Sequence, residues 1–391
     1  MNICKKCVLP ENFPGIRFDN NGICNFCNEA ELYKKPSFSK KLGFSNEAEL
    51  IQSLEKYRNP NRKYDVLVPL SGGVDSSHAL IKIAETYKLK SLAFHYDNGY
   101  EDPIATDNAK KLCMALDVDL LIFQQGLSFM KKLWKYTNEF GKGLSVCYVC
   151  GNILYLTALE IANQFHIPLV INGYSKGDAE KVNDREEGIR LLQNQIDAFE
   201  KSGDKDFINQ FINKYKIIEK RINYQSREEL EKETDSEKIL VVPFYLFQFY
   251  QTDKEKLKKE VRKRFDWQPM AYSYPGRTTN CKMVWLNTYA DLKKMNYTRY
   301  HEEYAGLVRK GEITREQALK DLEFNPPEEI VERLAEEIWL DLDKIEKYEN
   351  HVSSEKQNPI IKDIKDILIS PDERKEQDDF LQSAMNIGED F

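Results

Sequence analysis

The sequence predicts a parallel α/β domain between an N-terminal thiolate module and a C-terminal helical region, and three observations support this. Short apolar runs at 65–70, 91–96, 120–123, 168–173 and 239–245 alternate with helix-like segments, as strands do when crossover helices link them into a parallel sheet. The first run feeds a Gly-Gly turn and then a helix-like segment beginning around Ser76. Ahead of it, two Cys-x-x-Cys pairs stand sixteen residues apart. The boundaries that follow are 1–35 for the cysteine module, 60–285 for the α/β domain with a charged helical insertion at about 183–238, and 286–391 for the helical region with a frayed tail.

Composition narrows the class. The chain has 391 residues, of which 41% are hydrophobic and 31% charged, the profile of a globular protein able to bury a core. The sequence shows no apolar run of the ~20 residues that span a bilayer, so no membrane role is expected. Met1-Asn-Ile-Cys4 lacks the apolar stretch of a leader, which makes the cytoplasm the expected compartment and disulfides unexpected. A net charge of −7 weighs against a nucleic-acid partner, although Lys34-Lys35, Lys40-Lys41 and Lys131-Lys132 are small basic spots.

In the cysteine module, Cys4-Lys-Lys-Cys7 and Cys24-Asn-Phe-Cys27 have the spacing of a structural four-thiolate zinc site. Each pair can place two sulfurs on one ion, and Asn20-Asn21-Gly22 supplies the turn that brings the second pair back. A closed site of this kind leaves no position for substrate. Next comes a polar connector with an amphipathic helix expected over 48–57.

The stretch Ser71-Gly72-Gly73-Val74-Asp75-Ser76-Ser77 reads as a phosphate cradle. Glycines let successive N–H groups converge on an anion, and the helix that follows points its positive end at the same place. No Lys lies within the loop, unlike the commoner G-x-x-x-x-G-K-[ST] phosphate loop. The stretch instead resembles the S-G-G-x-D-S-[ST] loop of the PP-loop ATP pyrophosphatases, whose fold is adenine nucleotide alpha hydrolase-like. That resemblance implies cleavage of ATP between the α and β phosphates, with Mg²⁺ and transfer of AMP to a carbonyl-type oxygen. It assigns Ser71 to Ser77 to the nucleotide, with Asp75 as a catalytic carboxylate. Asp97 and Asn98, at the end of the second strand, join the nucleotide site, as does Gly173 at the end of a later strand. In Gly173-Tyr-Ser-Lys-Gly177-Asp178 the usual first acidic position is Gly177, so only Asp178 is carried over as a catalytic or Mg²⁺-side carboxylate.

A third cysteine group is formed by Cys147-Tyr-Val-Cys150, expected just before a helix over 152–165, and by the distant Cys281. Its placement resembles that of PP-loop tRNA thiolation enzymes, in which such cysteines hold a [4Fe–4S] cluster. A second metal, a redox dithiol and inert buried thiols are the alternatives at this point. Cys113 reads as a core residue on a helix, and His301, on a polar helix, as a surface imidazole. A loop rich in Tyr, Arg and Asn from Trp267 to Cys281 has the chemistry to recognise a sugar or phosphate, and Thr314 with Gln317 has capping-box spacing.

Taken with Val8-Leu-Pro, Pro14-Gly-Ile-Arg-Phe-Asp19 and the 309–319 region, these features resemble the N-acetyl sugar amidotransferases over most of the chain. Those enzymes make acetamidino sugars for lipopolysaccharide O-antigen or for nonulosonic acids. The resemblance implies an N-acetyl sugar or sugar-nucleotide substrate. It also implies ammonia delivered by a separate glutaminase and a barrel-shaped partner subunit, with ATP, Mg²⁺ and Zn²⁺ as cofactors. A sulfur transferase with the same adenylylation step is the alternative.

Overall fold

The computed structural model describes residues 2–28, 47–141, 143–174, 194–215, 222–223, 239–245, 254–270, 280–323 and 326–347. In chain order the elements are α1 (Glu47–Glu55), β1 (Val66–Pro69), α2 (Val74–Ile81), β2 (Ser91–Asp97), α3 (Pro103–Leu116), β3 (Asp119–Gln124), α4 (Leu127–Phe140) and α5 (Val146–Gln164). They continue with β4 (Leu169–Tyr174), α6 (Lys205–Tyr215), β5 (Ile222–Asn223), β6 (Ile239–Tyr245), α7 (Lys254–Phe265), α8 (Val284–Met295), α9 (Arg299–Arg309), α10 (Arg315–Asp321) and α11 (Glu328–Glu337). Most of the charged insertion and the tail beyond 347 lie outside the described residues.

The strands form one sheet in the order β3-β2-β1-β4-β6-β5, and every pairing is parallel. The α/β class is therefore as expected. From β1 the chain winds outward through β2 and β3, then returns to lay β4 on the other side of β1. The crevice above the carboxyl ends of β1 and β4 is thus the switch point at which ligands bind in sheets of this kind. The Ser71 loop starts there.

Alternation along the strands divides the core between the two faces. Leu67, Phe94, Tyr96 and Val170 turn toward α4, α5, α8 and α11, whereas Val66, Val68, Ala93 and Ile171 turn toward α1, α2, α3 and α7. Because the central strands are covered on both sides, they read as continuous Val/Leu/Ile runs without a polar face. Fully burying a side chain such as Phe94 contributes roughly 2–3 kcal/mol. Helix α5 is the one described helix long and apolar enough to cross a membrane, but Val149, Ile153, Leu156 and Leu159 on it are buried in the core.

The N-terminal module packs against the helical region. Val8 and Leu9 and the buried cysteines share an apolar cluster with Val284, Tyr300, Tyr304, Ala305 and Ala318 of α8, α9 and α10. The Arg315 Nε–H donates to the carbonyls of both Cys4 and Cys7, at 3.0 and 2.9 Å.

Two expectations change. Cys147 and Cys150 lie within the first turns of α5, which begins at Val146 rather than near residue 152. The 287–340 stretch is helical, as expected, in α8 to α11, with α8 and α9 separated by Asn296 in the left-handed region at φ 57°. His301 is not a surface imidazole. It is the N3 residue of α9, its ring Nδ1 accepting from the Thr298 N–H at 3.1 Å, and burial pushes its pKa down to about 4. Thr314 caps α10, its hydroxyl accepting from the Gln317 N–H at 3.1 Å, but the reciprocal half of the box is not made, because the Gln317 amide donates to Asp321 at 2.6 Å.

Candidate functional site

The loop after β1 has the backbone geometry expected of an anion cradle. Gly72 has φ +72°, and a Cβ there would lie 2.1 Å from the Ala105 carbonyl oxygen, so only glycine fits between β1 and α3. The Ser71 and Ser76 hydroxyls meet at 3.0 Å, the Ser71 N–H donates to Ser76 Oγ at 3.1 Å, and Ser76 Oγ donates to the Gly73 carbonyl at 3.2 Å. Gly73 occupies the N-cap of α2 in extended conformation and, having no side chain, satisfies none of the first-turn N–H groups of that helix. Those donors and the helix dipole suit a phosphate. Ser77 Oγ is fully buried and has no hydrogen-bond partner among the described residues.

The remaining predicted nucleotide residues differ in role. Gly173 sits at the end of β4 where a Cβ would meet Ala79, the Asp75 carbonyl and Ser76 Cα at 3.1–3.2 Å, so its smallness lets α2 approach the sheet. Asp97 Oδ1 accepts from the Gly99 N–H at 2.7 Å and Oδ2 from Gln124 Nε2 at 3.1 Å, which shapes the turn after β2. Asn98 is buried and faces the cysteines: its Oδ1 accepts from the Tyr100 N–H at 2.8 Å, and its Nδ2 donates to Cys281 Sγ at 3.3 Å. Asp178 lies outside the described residues.

Cys281 reaches this edge through a short antiparallel pairing. The Asp102 N–H donates to the Asn280 carbonyl at 2.7 Å and the Lys282 N–H to the Tyr100 carbonyl at 2.8 Å, with Cys281 opposite Glu101 between them. On α5, Cys147 and Cys150 are three residues apart and so share a helix face. As free thiols, Cys150 is pushed up to about 12 and Cys281 well above the usual range. Burial is the main cause, and Glu101 and the neighbouring thiols add to it. Burial, with Asp97 and Asp102 adding, raises the Glu101 carboxyl to about 8. Asn287 Nδ2 donates to Cys147 Sγ at 3.6 Å.

The two cysteine groups differ in spacing. Cys4, Cys7, Cys24 and Cys27 are fully buried with all four sulfurs within 4.8 Å of one another, including Cys4–Cys27 at 3.9 Å and Cys7–Cys24 at 3.7 Å. Zinc–sulfur bonds of about 2.3 Å set tetrahedral edges of roughly 3.8 Å, so this donor set fits one zinc ion. The N–H groups of Lys6, Cys7 and Cys24 donate to Cys4 Sγ at 3.3–3.4 Å, which stabilises a thiolate. The neighbouring thiols hold Cys4 well below the ordinary thiol range and Cys7 at about 7, while protons concentrate on Cys24 and Cys27. Among the described residues Cys147, Cys150 and Cys281 do not form a group whose three sulfurs all lie within 4.8 Å of one another. The Cys147, Cys150 and Cys281 set is therefore too open for one tetrahedral zinc. A cluster of several irons spreads its sulfur ligands wider and is compatible with it.

Sequence reading missed Glu101, Asn108 and the structural role of Asn280. Asn280 Nδ2 donates to the Ser71 carbonyl at 2.7 Å, so the residue beside Cys281 is hydrogen-bonded to the Ser71 loop. Only its place in the polar loop before Cys281 hinted at this.

No family model matches the chain. An uncharacterized protein of Methanocaldococcus jannaschii is 22% identical over 321 residues, which cover 82% of this chain and 92% of that protein. Among solved structures, the U34-tRNA thiolase NcsA from Methanococcus maripaludis with its [4Fe–4S] cluster aligns over 92% of this chain and 95% of its own, at 14% identity and a TM-score of 0.36. An NH3-dependent NAD synthetase from Campylobacter jejuni aligns over 58% of this chain and 97% of its own, at 14% identity and a TM-score of 0.29. These likenesses are weak, and the functional assignment rests on the chain's own loop, sheet and cysteines.

Proposed function

We propose that this chain is a PP-loop ATP pyrophosphatase that adenylylates a carbonyl-type oxygen and then exchanges that oxygen for sulfur at Cys147, Cys150 and Cys281. One observation carries the proposal: Asn280 is bound to the Ser71 carbonyl while its neighbour Cys281 accepts from Asn98, which supports reading the loop and the cysteines as one site. Any nucleophile held by the cysteines would then stand beside the activated carbon.

The chemistry follows from need. A carbonyl oxygen of an amide or lactam is a poor leaving group. Its attack on the α-phosphorus of ATP forms an O–P bond and breaks the bond to pyrophosphate, and the oxygen then departs as part of AMP when a nucleophile adds to carbon. Backbone N–H groups of Gly72 to Ser76 stabilise the pyrophosphate, the Ser71 and Ser77 hydroxyls position its oxygens, and Asp75 and Asp178 are the carboxylates available to Mg²⁺. The three cysteines would hold a [4Fe–4S] cluster, and its uncoordinated iron would supply a binding place for sulfide. Asn98 and Asn287 orient the thiolates.

A second reading keeps the first step and replaces sulfide by ammonia. It is carried by the N-terminal stretch through Asp19, which resembles the N-acetyl sugar amidotransferases, and it requires ammonia from a separate glutaminase and a barrel-type subunit. Product mass separates the two readings: exchange of C=O for C=S adds about sixteen mass units and exchange for C=NH removes about one. Asp75→Ala should abolish ATP-dependent pyrophosphate release without unfolding the chain, and retained turnover would overturn the adenylylating assignment.

A further inference from the structure

We propose that Trp267, Asn108 and Asn280 act as positioning residues that fix the polarity of the phosphate loop by holding its carbonyls away from the anion. This rests on the loop being the pyrophosphate site and adds to it the device that keeps the loop selective for anions.

A glycine-rich loop has an inherent weakness as an anion receptor. A flexible peptide turns over easily, and each turn replaces a donating N–H by a carbonyl oxygen that repels phosphate. In a trans peptide the carbonyl of one residue and the N–H of the next point in opposite directions, so tying down the oxygen also fixes the N–H. Both peptides at the start of this loop are tied in this way. The Gly72 carbonyl accepts from the indole Nε1–H of Trp267 at 2.8 Å and from Asn108 Nδ2 at 3.3 Å. The Ser71 carbonyl accepts from Asn280 Nδ2 at 2.7 Å. The Gly73 N–H consequently faces the Ser71 hydroxyl, 3.4 Å from its Oγ, on the side where the serines gather.

The anchors are themselves held. Asn108 uses its amide twice on residue 268, donating to the Gln268 carbonyl at 2.8 Å and accepting from the Gln268 N–H at 2.9 Å, which keeps Trp267 in register with the loop. Trp267 is only 5% exposed, and the Arg262 guanidinium lies over its ring at 5.8 Å. The donors come from α3 and from segments about 200 residues downstream of the loop, so the device is set by the tertiary fold.

The test is calorimetric titration of the full chain with inorganic pyrophosphate and Mg²⁺. Trp267→Phe keeps the buried ring and removes the N–H donor. It should weaken pyrophosphate binding about tenfold, the cost of one hydrogen bond to a carbonyl that can then turn inward. Asn280→Ala removes a side chain at the surface of the site and should cost about as much. Losses in both variants with unchanged thermal unfolding support the proposal. Wild-type affinity in the folded Asn280→Ala protein, or in the folded fraction of Trp267→Phe, overturns it. Failure of the wild-type chain to bind pyrophosphate at all would instead remove the nucleotide assignment on which it rests.

Discussion

The two cysteine groups use the same residue in opposite ways. In the N-terminal group four sulfurs lie within one another's reach, are closed to solvent and receive backbone N–H donors. In the Cys147, Cys150 and Cys281 group three half-buried sulfurs stand farther apart, beside the phosphate loop, with asparagine side chains as donors. A metal at the first can only hold chain segments together. On the proposed reading the second group is the reactive one, and what sets it apart from the first is spacing and exposure rather than residue type.

Removing metal from the N-terminal group should have the largest effect. A strong chelator, or Cys4→Ser, should release one zinc per chain and lower the unfolding temperature by roughly 5–10 °C, because structural zinc supplies folding free energy directly. An unchanged melting curve with zinc absent would remove the distinction between the groups. Cys281→Ser should do the reverse, lowering turnover by roughly 100-fold or more while the melting temperature stays put, since a thiolate and not a hydroxyl is the soft ligand or nucleophile.

Helix α9 packs on the N-terminal group through Tyr300 and Tyr304 and accepts, through Glu302, from the Tyr148 hydroxyl beside Cys147 at 2.7 Å, and acid should test that link. Burial holds the folded His301 pKa at about 4, below its ordinary 6.5, so the unfolded chain binds the extra proton first. Stability is thus full above about pH 6.5 and is lost as pH falls toward 4, on the order of 2 kcal/mol by pH 4.5. His301→Gln keeps an acceptor for the Thr298 N–H and should flatten that part of the profile in urea titrations at pH 7 and 4.5. The smallest effect is expected of Arg315→Ala, about 1.5 kcal/mol of stability with catalysis unaffected, from loss of its paired hydrogen bonds to the Cys4 and Cys7 carbonyls.

What the sequence revealed was local. The β1 run, the Ser71 loop and the two Cys-x-x-Cys knuckles are each specified within a few neighbouring residues, so they could be read without knowing what packs against them. Misreadings arose where tertiary contacts decide. The sequence places Cys147 and Cys150 just before a helix, yet burial of Val146 and Val149 extends α5 over them. On a polar helix beside Glu302 and Glu303, His301 reads as exposed, whereas its ring caps the helix on which they lie. The contacts from Trp267 and Asn280 to the loop span 195 and 209 residues, and no periodicity records them.

The packing of the N-terminal module over α8, α9 and α10 has a practical consequence for producing the protein. A truncation beginning at α1 would uncover Val284, Tyr300, Tyr304, Ala305 and Ala318 as one apolar surface, the kind of patch that drives self-association. Zinc-starved expression would leave the same surface poorly covered in the full-length chain. Yield of monodisperse protein should therefore track zinc in the growth medium, and a minimal folded fragment has to retain the residues from Cys4 onward.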